Sequence, residues 1–260
     1  MFISIVLAGE RTEKNELLEY TGFNTKSLIE INEKPMILYV LDTLLDNDFV
    51  DDIFIIGPFS IVEKCGRLKK LIESKKITFR EQKASPTESI LSIFKELKED
   101  SKIIITTSDN VLIKKEWINY FCEHSLKSGK DILMAVNDAR LVKETYPETK
   151  RTILAFKDIS FSLCNLFAIM NKNGREAVFI WKKVESLRKK PLKIARCFMS
   201  IWGLILFLAK QLSSKKAFEI MSKKMNANVG VINLPFAEAC IDVDKIDDYK
   251  LVKSILNINK

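Results

Sequence analysis

Histidine is almost absent from this chain of 260 residues, and the shortage excludes whole classes of chemistry. The one histidine, His124, lies in a stretch with helical spacing, so Ser-His-Asp and Cys-His catalysis would both depend on it. We therefore reject both mechanisms. The five cysteines are scattered and include no C-x-x-C pair. That spacing argues against a zinc site or a disulfide framework and favours a reducing, cytoplasmic compartment.

Long apolar runs and nucleic-acid modules are missing as well. The longest apolar run, residues 197–209, has 13 residues and includes Ser200 and Gly203. About 18 to 20 apolar residues are needed to cross a bilayer, so we predict no transmembrane helix. Basic segments occur, but no aromatic residues alternate with them, and we predict no nucleic-acid partner.

Positive charge is in excess, with 42 Lys and Arg against 34 Asp and Glu and a net charge of +8. Such a surface attracts nucleotides, nucleic acid or acidic lipid, and the charge alone does not choose among them. Residues 188–212 join a basic run to the apolar run. One interpretation is a helix that lies in a membrane surface, at the inner face of the membrane, with its basic flank on acidic lipid. The other, which we favour, is a helix packed across the domain or against a second subunit.

Strand-like and helix-like segments alternate along the chain. Apolar β-branched runs alternate with segments of helical spacing, which predicts a mainly parallel sheet covered on both faces. We expect a single domain, residues 1–260, of three-layer α/β/α architecture with a mainly parallel mixed sheet. A helical insertion is predicted at about 172–226. The predicted strands are 52–57, 77–79, 102–109, 131–136, 151–156, 164–169 and 229–234, and the predicted helices are 13–20, 35–45, 61–72, 85–97, 115–127 and 215–225.

The beginning of the chain combines a glycine turn with a later lysine. A predicted first strand ends at Ala8 and Gly9, and ligands of open α/β sheets bind beyond such strand ends. A glycine there lets backbone N–H groups approach an anion closely. Lys26 supplies a mobile positive charge, and Pro35 opens the next predicted helix.

Three segments near the beginning carry a family signature. They read Leu7-Ala8-Gly9, Lys26-Ser27-Leu28, and Glu33-Lys34-Pro35-Met36 followed by Leu38-Tyr39-Val40-Leu41. This pattern resembles that of MobA-like nucleotidyltransferases of the molybdenum-cofactor and sugar-phosphate type. The resemblance implies that a nucleotide triphosphate is held by Leu7, Ala8, Gly9 and Lys26. Two features depart from the family: Glu10 stands where a second glycine is usual, and the loop over residues 10–25 is longer.

A carboxylate ends the predicted strand that begins at Lys102. Asp109 lies at the same predicted sheet edge as Gly9 and begins the sequence Asp-Asn-Val-Leu-Ile. This segment resembles the Asp-x-Pro-Leu-Ile segment of the family, with Val111 in place of the proline. The resemblance implies that Asp109 binds a Mg²⁺ that bridges the nucleotide phosphates. From the residues alone, an Asx-turn that leaves the strand is the alternative.

Residues 85–88, Ser-Pro-Thr-Glu, are a strong helix start. Ser85 is the predicted N-cap, proline takes the first helical position, and Glu88 follows three residues after the cap. In the resembled family, serines at this helix start lie beside the base and ribose, which implies that role for Ser85 and Ser89. A capping box with no other role remains open.

The C-terminal segment offers two more carboxylates. If residues 240–244 are extended, Asp242 and Asp244 point to the same face ahead of a C-terminal helix. The segment resembles the Asp-Ile-Asp-Thr-Pro-Glu-Asp-Leu ending of the family, near which a second metal ligand commonly lies. We predict Asp242 as that ligand before Asp244, which could instead cap the helix.

Residues of the later strands are predicted for the acceptor side. The segments 146–152, 164–167 and 188–191 follow a pattern of one uncharacterised bacterial branch of the family. Related enzymes place acceptor-binding residues on the corresponding strand, which implies Arg151, Thr152 and Asn165 here. Interior hydrogen bonding for Asn165 and a solvated charge for Arg151 are the alternatives.

The four matching segments, residues 6–9, 26–41, 108–113 and 240–252, imply the fold shared by nucleotidyltransferases and A-type glycosyltransferases. The implied reaction is attack on the α-phosphorus of a nucleoside triphosphate by a phosphorylated small-molecule or lipid-precursor acceptor, with release of pyrophosphate. Mg²⁺ is the implied cofactor, and Lys26 and Asp109 are the implied catalytic residues. A catalytically inactive nucleotide-binding or scaffolding domain is one alternative, and an A-type glycosyltransferase is another.

Overall fold

The computed structural model describes residues 1–10, 16–187, 196–197 and 200–258. The strands within these ranges are β1 Phe2–Leu7, β2 Glu30–Ile31, β3 Lys34–Pro35, β4 Val50–Gly57, β5 Thr78–Glu81, β6 Ile103–Thr107, β7 Ile132–Asp138, β8 Ile153–Ala155, β9 Ser160–Ile169 and β10 Val229–Asn233. The α-helices are α1 Glu16–Thr21, α2 Met36–Leu45, α3 Ser60–Lys64, α4 Gly66–Glu73, α5 Pro86–Phe94, α6 Lys115–Lys127, α7 Ala139–Thr145, α8 Lys172–Lys182, α9 Ile201–Leu208, α10 Ser214–Met225 and α11 Ile246–Ile258.

The central sheet has eight strands among the described residues. Its order is β10-β7-β9-β6-β1-β4-β5, with β8 paired to β9, and β2 and β3 form a separate hairpin. The pairs β1–β4, β1–β6, β4–β5 and β7–β10 are parallel. Strand β9 is antiparallel to its partners β6, β7 and β8. The predicted mainly parallel mixed sheet is confirmed.

Helices cover both faces of this sheet, because successive side chains of a strand point to opposite sides. On β1, Phe2 and Val6 belong to one buried cluster, which also contains the inner faces of α2 and α6. Ile5 belongs to a second cluster with α5 and with Val178 of α8. These two apolar layers around one sheet confirm the predicted three-layer α/β/α fold.

The structure corrects several boundaries. The helix predicted over 61–72 is two helices, because Cys65 adopts an extended conformation (φ −116°, ψ 94°) between α3 and α4. The strand predicted over 151–156 is shortened to β8, and α7 was not predicted. Pro35 belongs to β3 and is the N-cap of α2, so it lies one residue before the first helical position.

Helices α8, α9 and α10 lie between β9 and β10, where the helical insertion is predicted at about 172–226. Within the predicted segment 188–212, residues 188–195 and 198–199 lie outside the described residues. In the part of the chain that the structure describes, no helix combines the length and the apolar character needed to cross a membrane.

Candidate active site

The ends of β1 and β6 bring two predicted loops side by side. Leu7 and Thr107, the last residues of these parallel strands, are paired in register, and the backbone N–H of Ser108 donates to the carbonyl of Leu7 at 3.0 Å. Gly9 and Asp109 each follow two residues after this pair. Both therefore lie at the carboxyl edge of the sheet, where open α/β sheets bind ligands.

The C-terminal segment returns to the same edge. The backbone N–H of Val243 donates to the carbonyl of Asp109 at 3.1 Å. Asp242 and Asp244, the residues before and after Val243, are therefore held close to Asp109. Asp109, Asp242 and Asp244 each offer one carboxylate oxygen, and these oxygens lie within 4.8 Å of one another. The structure thus brings together the three predicted metal ligands.

Lys26 reaches into this acidic cluster from the 3₁₀ turn Lys26–Leu28. Its Nζ lies 2.5 Å from Asp109 Oδ2 and forms a second ion pair with Asp244. Burial acts to lower the pKa of Lys26, but the charges of Asp109 and Asp244 together outweigh burial and raise that pKa above its ordinary value. The ammonium group therefore stays charged and neutralises part of the cluster.

Asp109 receives a further contact from its own strand end. The hydroxyl of Thr107 donates to Asp109 Oδ1, while Lys26 contacts Oδ2. The Asp109 side chain is 13% exposed, so its two oxygens have different partners in a partly buried site. The strand end therefore orients the carboxylate.

Asp242 has a separate set of partners. Arg151 Nη1 pairs with Asp242 Oδ1, and Asn165 Nδ2 donates to Asp242 Oδ2 at 2.6 Å. Arg151 also pairs with Asp248 through Nη2 at 2.5 Å, and its own side chain is only 10% exposed. Two predicted acceptor residues, Arg151 and Asn165, thus contact a predicted metal ligand, and Thr152 is exposed beside Arg151.

The surroundings of Asp242 oppose its ionisation. Burial, followed by the charges of Asp109 and Asp244, raises the pKa of Asp242 to about 6. Arg151 and Lys26 lower this pKa but do not cancel the first three influences. Like charges that share a site have this effect on a carboxyl group.

Asp248 fixes the turn that carries Asp244. Its Oδ2 accepts from the backbone N–H groups of Asp244 at 3.2 Å and Lys245 at 2.9 Å, which lie just before α11. The Asp244 carboxylate pairs with Lys26. The start of α11 and the position of the third carboxylate are therefore coupled through one acidic side chain.

The glycine turn after β1 is tied to the end of β5. Glu10 N–H donates to Gln82 Oε1 at 2.9 Å, and Gln82 N–H donates to the Gly57 carbonyl at 3.0 Å. A Cβ atom at Gly9 would lie 2.9 Å from Gln82 Oε1. Glycine therefore leaves the space that this contact needs. Glu10 Oε1 is buried and has no hydrogen-bond partner among the described residues.

The two predicted serines act at the start of α5. Ser85 Oγ accepts from Glu88 N–H at 3.2 Å, which confirms the predicted N-cap. Ser89 is 2% exposed; its hydroxyl donates to the Ser85 carbonyl at 2.9 Å and accepts from Lys83 N–H at 2.8 Å. The contact of these serines with a base or ribose stays a prediction.

The donor set of the acidic cluster fits a hard divalent cation. Mg²⁺ prefers carboxylate oxygens and usually binds one or two carboxylates together with substrate phosphates. Asp109, Asp242 and Asp244 supply such oxygens close together, and Lys26 provides positive charge beside them. The residues present therefore suit the implied cofactor.

Sequence reasoning missed three residues of this site: Gln82, Thr107 and Asp248. Gln82 follows directly on a short strand, and Thr107 is the last residue of β6. Asp248 lies in the first turn of α11, where acidic residues favour a helix start. Thr107 contacts Asp109 two residues away, whereas Gln82 contacts Glu10 and Asp248 contacts Arg151 across long stretches of the chain.

Comparisons with known proteins identify the family. A family profile described as MobA-like NTP transferase domain matches residues 4–198. The chain belongs to this family. The MobA-like match contains Gly9, Lys26, Asp109, Arg151 and Asn165, and it confirms the resemblance seen in the sequence motifs.

Solved structures share the fold of this MobA-like protein. A hypothetical transferase from Thermus thermophilus is 20% identical with a TM-score of 0.77, covering 95% of this chain and 99% of its own. The 4-diphosphocytidyl-2C-methyl-D-erythritol synthase of Anaerococcus prevotii DSM 20548 is 11% identical with a TM-score of 0.58, covering 98% and 96%. A CMP:2-keto-3-deoxy-manno-octonic acid synthetase complexed with CTP is 10% identical with a TM-score of 0.57, covering 100% and 99%. No curated protein matches the chain.

Family membership supports nucleotidyl transfer from a nucleoside triphosphate as the general chemistry, and it leaves the acceptor undetermined. The structural similarity extends over nearly the whole of each chain. This MobA-like protein therefore has the complete transferase fold of these neighbours.

Proposed function

We propose that the protein transfers a nucleoside monophosphate group from a nucleoside triphosphate to a phosphorylated acceptor and releases pyrophosphate. The observation that carries this proposal is the convergence of Lys26 with three carboxylates, those of Asp109, Asp242 and Asp244, at the sheet edge that bears the Gly9 turn. Phosphoryl-type transfer depends mainly on positioning and charge neutralisation, which this set of groups supplies.

The reaction forms one bond and breaks one. An oxygen of the acceptor phosphate donates an electron pair to the α-phosphorus, and the bond from that phosphorus to the α–β bridging oxygen breaks. The released electron pair leaves with pyrophosphate. An anionic acceptor needs no general base, which agrees with a chain whose one histidine, His124, lies on α6 and contacts Tyr120.

Mg²⁺, held by Asp109 and Asp242 with Asp244 as a third carboxylate, would neutralise charge on the phosphate oxygens. Lys26 now occupies two of these carboxylates. We propose that Lys26 leaves these carboxylates when nucleotide binds and then contacts the phosphates that depart as pyrophosphate. The backbone of Leu7, Ala8 and Gly9 would lie beside the same phosphates. A charge-assisted contact of this kind is strongest at the leaving group, where negative charge develops.

Arg151 and Asn165 act through Asp242 in this proposal. Each donates to a different oxygen of that carboxylate, so together they fix its orientation. Outer contacts of this kind orient metal ligands in many proteins. Thr152 is exposed next to Arg151 and is our candidate for direct acceptor contact. Ser85 and Ser89 remain our candidates for the base and ribose.

Pyrophosphate release is the test. The protein is incubated with Mg²⁺, each nucleoside triphosphate and a panel of sugar phosphates and polyol phosphates. CTP is tested first because one solved relative carries CTP. We expect release with at least one pair and none without Mg²⁺. The five cysteines are all free, which fits a cytoplasmic enzyme tested under reducing conditions.

The matched variants are Asp109→Asn in the cluster and Asp48→Asn on the surface, where Asp48 pairs with Lys115. Loss of release and of Mg²⁺-dependent nucleotide binding in the first variant alone supports the proposal. Nucleotide binding with no release on any acceptor would instead indicate an inactive binding domain. Transfer of a sugar from a nucleotide sugar would indicate an A-type glycosyltransferase.

A further inference from the structure

The net charge of the chain is concentrated in one stretch. Residues 186–218 contain eight Lys and Arg and no Asp or Glu, whereas the rest of the chain contains 34 of each. This stretch therefore accounts for the entire net charge of +8. It lies between β9 and β10, whereas the carboxylates of the acidic cluster follow β6 and precede α11 in the sequence.

An exposed apolar face lies within this basic stretch. Trp202, Ile205, Leu206 and Ala209 follow the helical spacing i, i+3, i+4, i+7 along α9 and its C-cap, and all four are exposed, with Trp202 at 75%. We call these four residues the α9 apolar face. Exposed tryptophan within a contiguous apolar patch marks an interaction surface rather than ordinary surface variation.

Helix α9 and the residues after it contact the connection between β8 and β9. The rings of Phe207 and Phe156 lie 5.7 Å apart, and Lys157 N–H donates to the Leu212 carbonyl at 3.0 Å. Asp158 accepts from the backbone N–H of Ser214 at 2.7 Å and from its hydroxyl at 2.6 Å. These contacts hold the helix in place while the α9 apolar face stays outward.

We propose that the α9 apolar face inserts into the surface of an anionic lipid bilayer. Arg196, Lys210 and Lys215 are exposed and lie before and after the face in the sequence, and residues 186–218 contain no acidic residue. Helix α9 presents Trp202 and aliphatic side chains outward, and Lys210 follows it closely; apolar side chains next to basic ones favour binding at the interface of an anionic bilayer. Basic residues next to such a helix add attraction to anionic headgroups.

A protein partner fits these features less well. Two copies of residues 186–218 would each bring eight basic residues and no acidic one to a shared contact, so they would repel one another, whereas an anionic surface attracts the stretch. The eight residues of α9 are also too few to span a bilayer, so the predicted position is the interface. This inference does not depend on the proposed transfer reaction.

Vesicle sedimentation of the full chain tests the proposal without nucleotide. The probes are vesicles of phosphatidylcholine alone and of phosphatidylcholine mixed with phosphatidylglycerol. We expect binding to the anionic vesicles that is at least about tenfold tighter than to the neutral ones and that weakens as salt is added.

The test variant is Trp202→Ser combined with Ile205→Ser. The matched control is Leu126→Ser, which removes an apolar side chain that is 46% exposed on α6. We expect the double variant to lose binding by about tenfold or more, because two large apolar contacts are removed, and the control to bind as the parent protein does. Circular dichroism and thermal melting of all three proteins establish that each is folded.

Three outcomes of the vesicle experiment would overturn the proposal. They are an absence of binding to anionic vesicles, equal binding to neutral and anionic vesicles, and unchanged binding by the folded double variant. Sedimentation velocity without lipid tests whether a second copy of the chain binds the face instead. A dimer in the parent protein that becomes a monomer in the double variant would assign the α9 apolar face to that second copy and overturn the proposal.

Discussion

Two regions of the molecule differ in where they place side chains that are costly in their surroundings: one buries charged groups, and the other exposes apolar groups. At the carboxyl edge of the sheet, acidic and basic side chains are partly buried and are paired with one another. On α9, large apolar side chains are exposed, and the charged residues nearest to them in the sequence, Arg196 and Lys210, are basic. Charges taken out of water need partners within the protein, whereas exposed apolar side chains gain most from a surface outside it. The charged groups at the sheet edge have their partners within the protein, whereas the proposed partner of the α9 apolar face is a bilayer.

This contrast bears on what each region contributes. A buried ion cluster is weak support for stability, because desolvation offsets much of the attraction between its members. Retention of three carboxylates and two basic side chains at one strand edge therefore points to chemistry. An exposed tryptophan stabilises the fold less than a buried one does. Its exposure on α9 therefore points to contact with another surface. Changes in one region are expected to leave the other unaffected.

The largest expected effect follows from Asp109→Asn. This change keeps the shape of the side chain but removes the charge that contacts Lys26 and the implied cation. We expect pyrophosphate release to fall by about 10²- to 10³-fold, the usual result of removing one preorganised electrostatic group. Vesicle binding by the same variant should match that of the parent protein. Loss of both pyrophosphate release and vesicle binding in this variant would show that the two regions are not independent.

Arg151→Ala should have the largest effect on stability. It leaves Asp242 and Asp248 without their shared partner in a site where all three side chains are less than 20% exposed. We expect the free energy of unfolding to fall by about 3 kcal/mol, as when one member of a buried pair is removed. Urea denaturation measures the change.

The control for that experiment is Arg140→Ala. Arg140 also pairs with an aspartate, Asp138, but its side chain is 84% exposed. Exposed pairs contribute about 0 to 1 kcal/mol. Equal losses in the two variants would show that burial at the sheet edge does not govern the pairing of Arg151.

Ser85→Ala tests the predicted helix cap. Removal of the Oγ that accepts from Glu88 N–H should lower the free energy of unfolding by about 1 kcal/mol, whereas Ser85→Gly should lower it by only a few tenths. Thermal or urea unfolding of the two variants gives the comparison. A parallel loss of nucleotide affinity in both variants would add the predicted nucleotide contact to the capping role.

Thiol labelling gives the smallest effect and distinguishes the α9 region from the sheet. Burial raises the pKa of Cys122 to about 12 and that of Cys240 to about 11, and both are buried, whereas Cys197 is exposed near α9. Since the thiolate is the reactive form, Cys197 should react first with a maleimide. Anionic vesicles should slow that reaction without changing the others. Equal rates with and without vesicles would argue against lipid contact near α9.

Much of the fold and part of the site were predictable from the sequence, for identifiable reasons. Parallel strands place their carboxyl ends at one edge, so the proximity of Gly9 and Asp109 followed from two apolar runs and the residues after them. The cap at Ser85 needed only four adjacent residues. Helix α6 was predicted with the bounds that it has in the structure.

The remaining features depend on contacts across long sequence separations. Nothing near Lys26 indicates that it pairs with two carboxylates, since one partner follows β6 and the other precedes α11. The contact of Gln82 with the Glu10 N–H depends on how β5 ends beside β4, which separates it from β1. The break at Cys65 was hidden, because apolar residues on both sides of it keep a helical spacing.

The hydrogen bond from Val243 to the Asp109 carbonyl has a consequence for the order in which the protein becomes functional. Synthesis delivers the glycine turn and Lys26 early, Asp109 near the middle, and Asp242 and Asp244 almost last. A nascent chain on the ribosome therefore holds the glycine turn long before it holds the complete set of carboxylates. With the proposed reaction, we expect translation products that stop before Asp242 to be inactive, because they lack two of the three carboxylates.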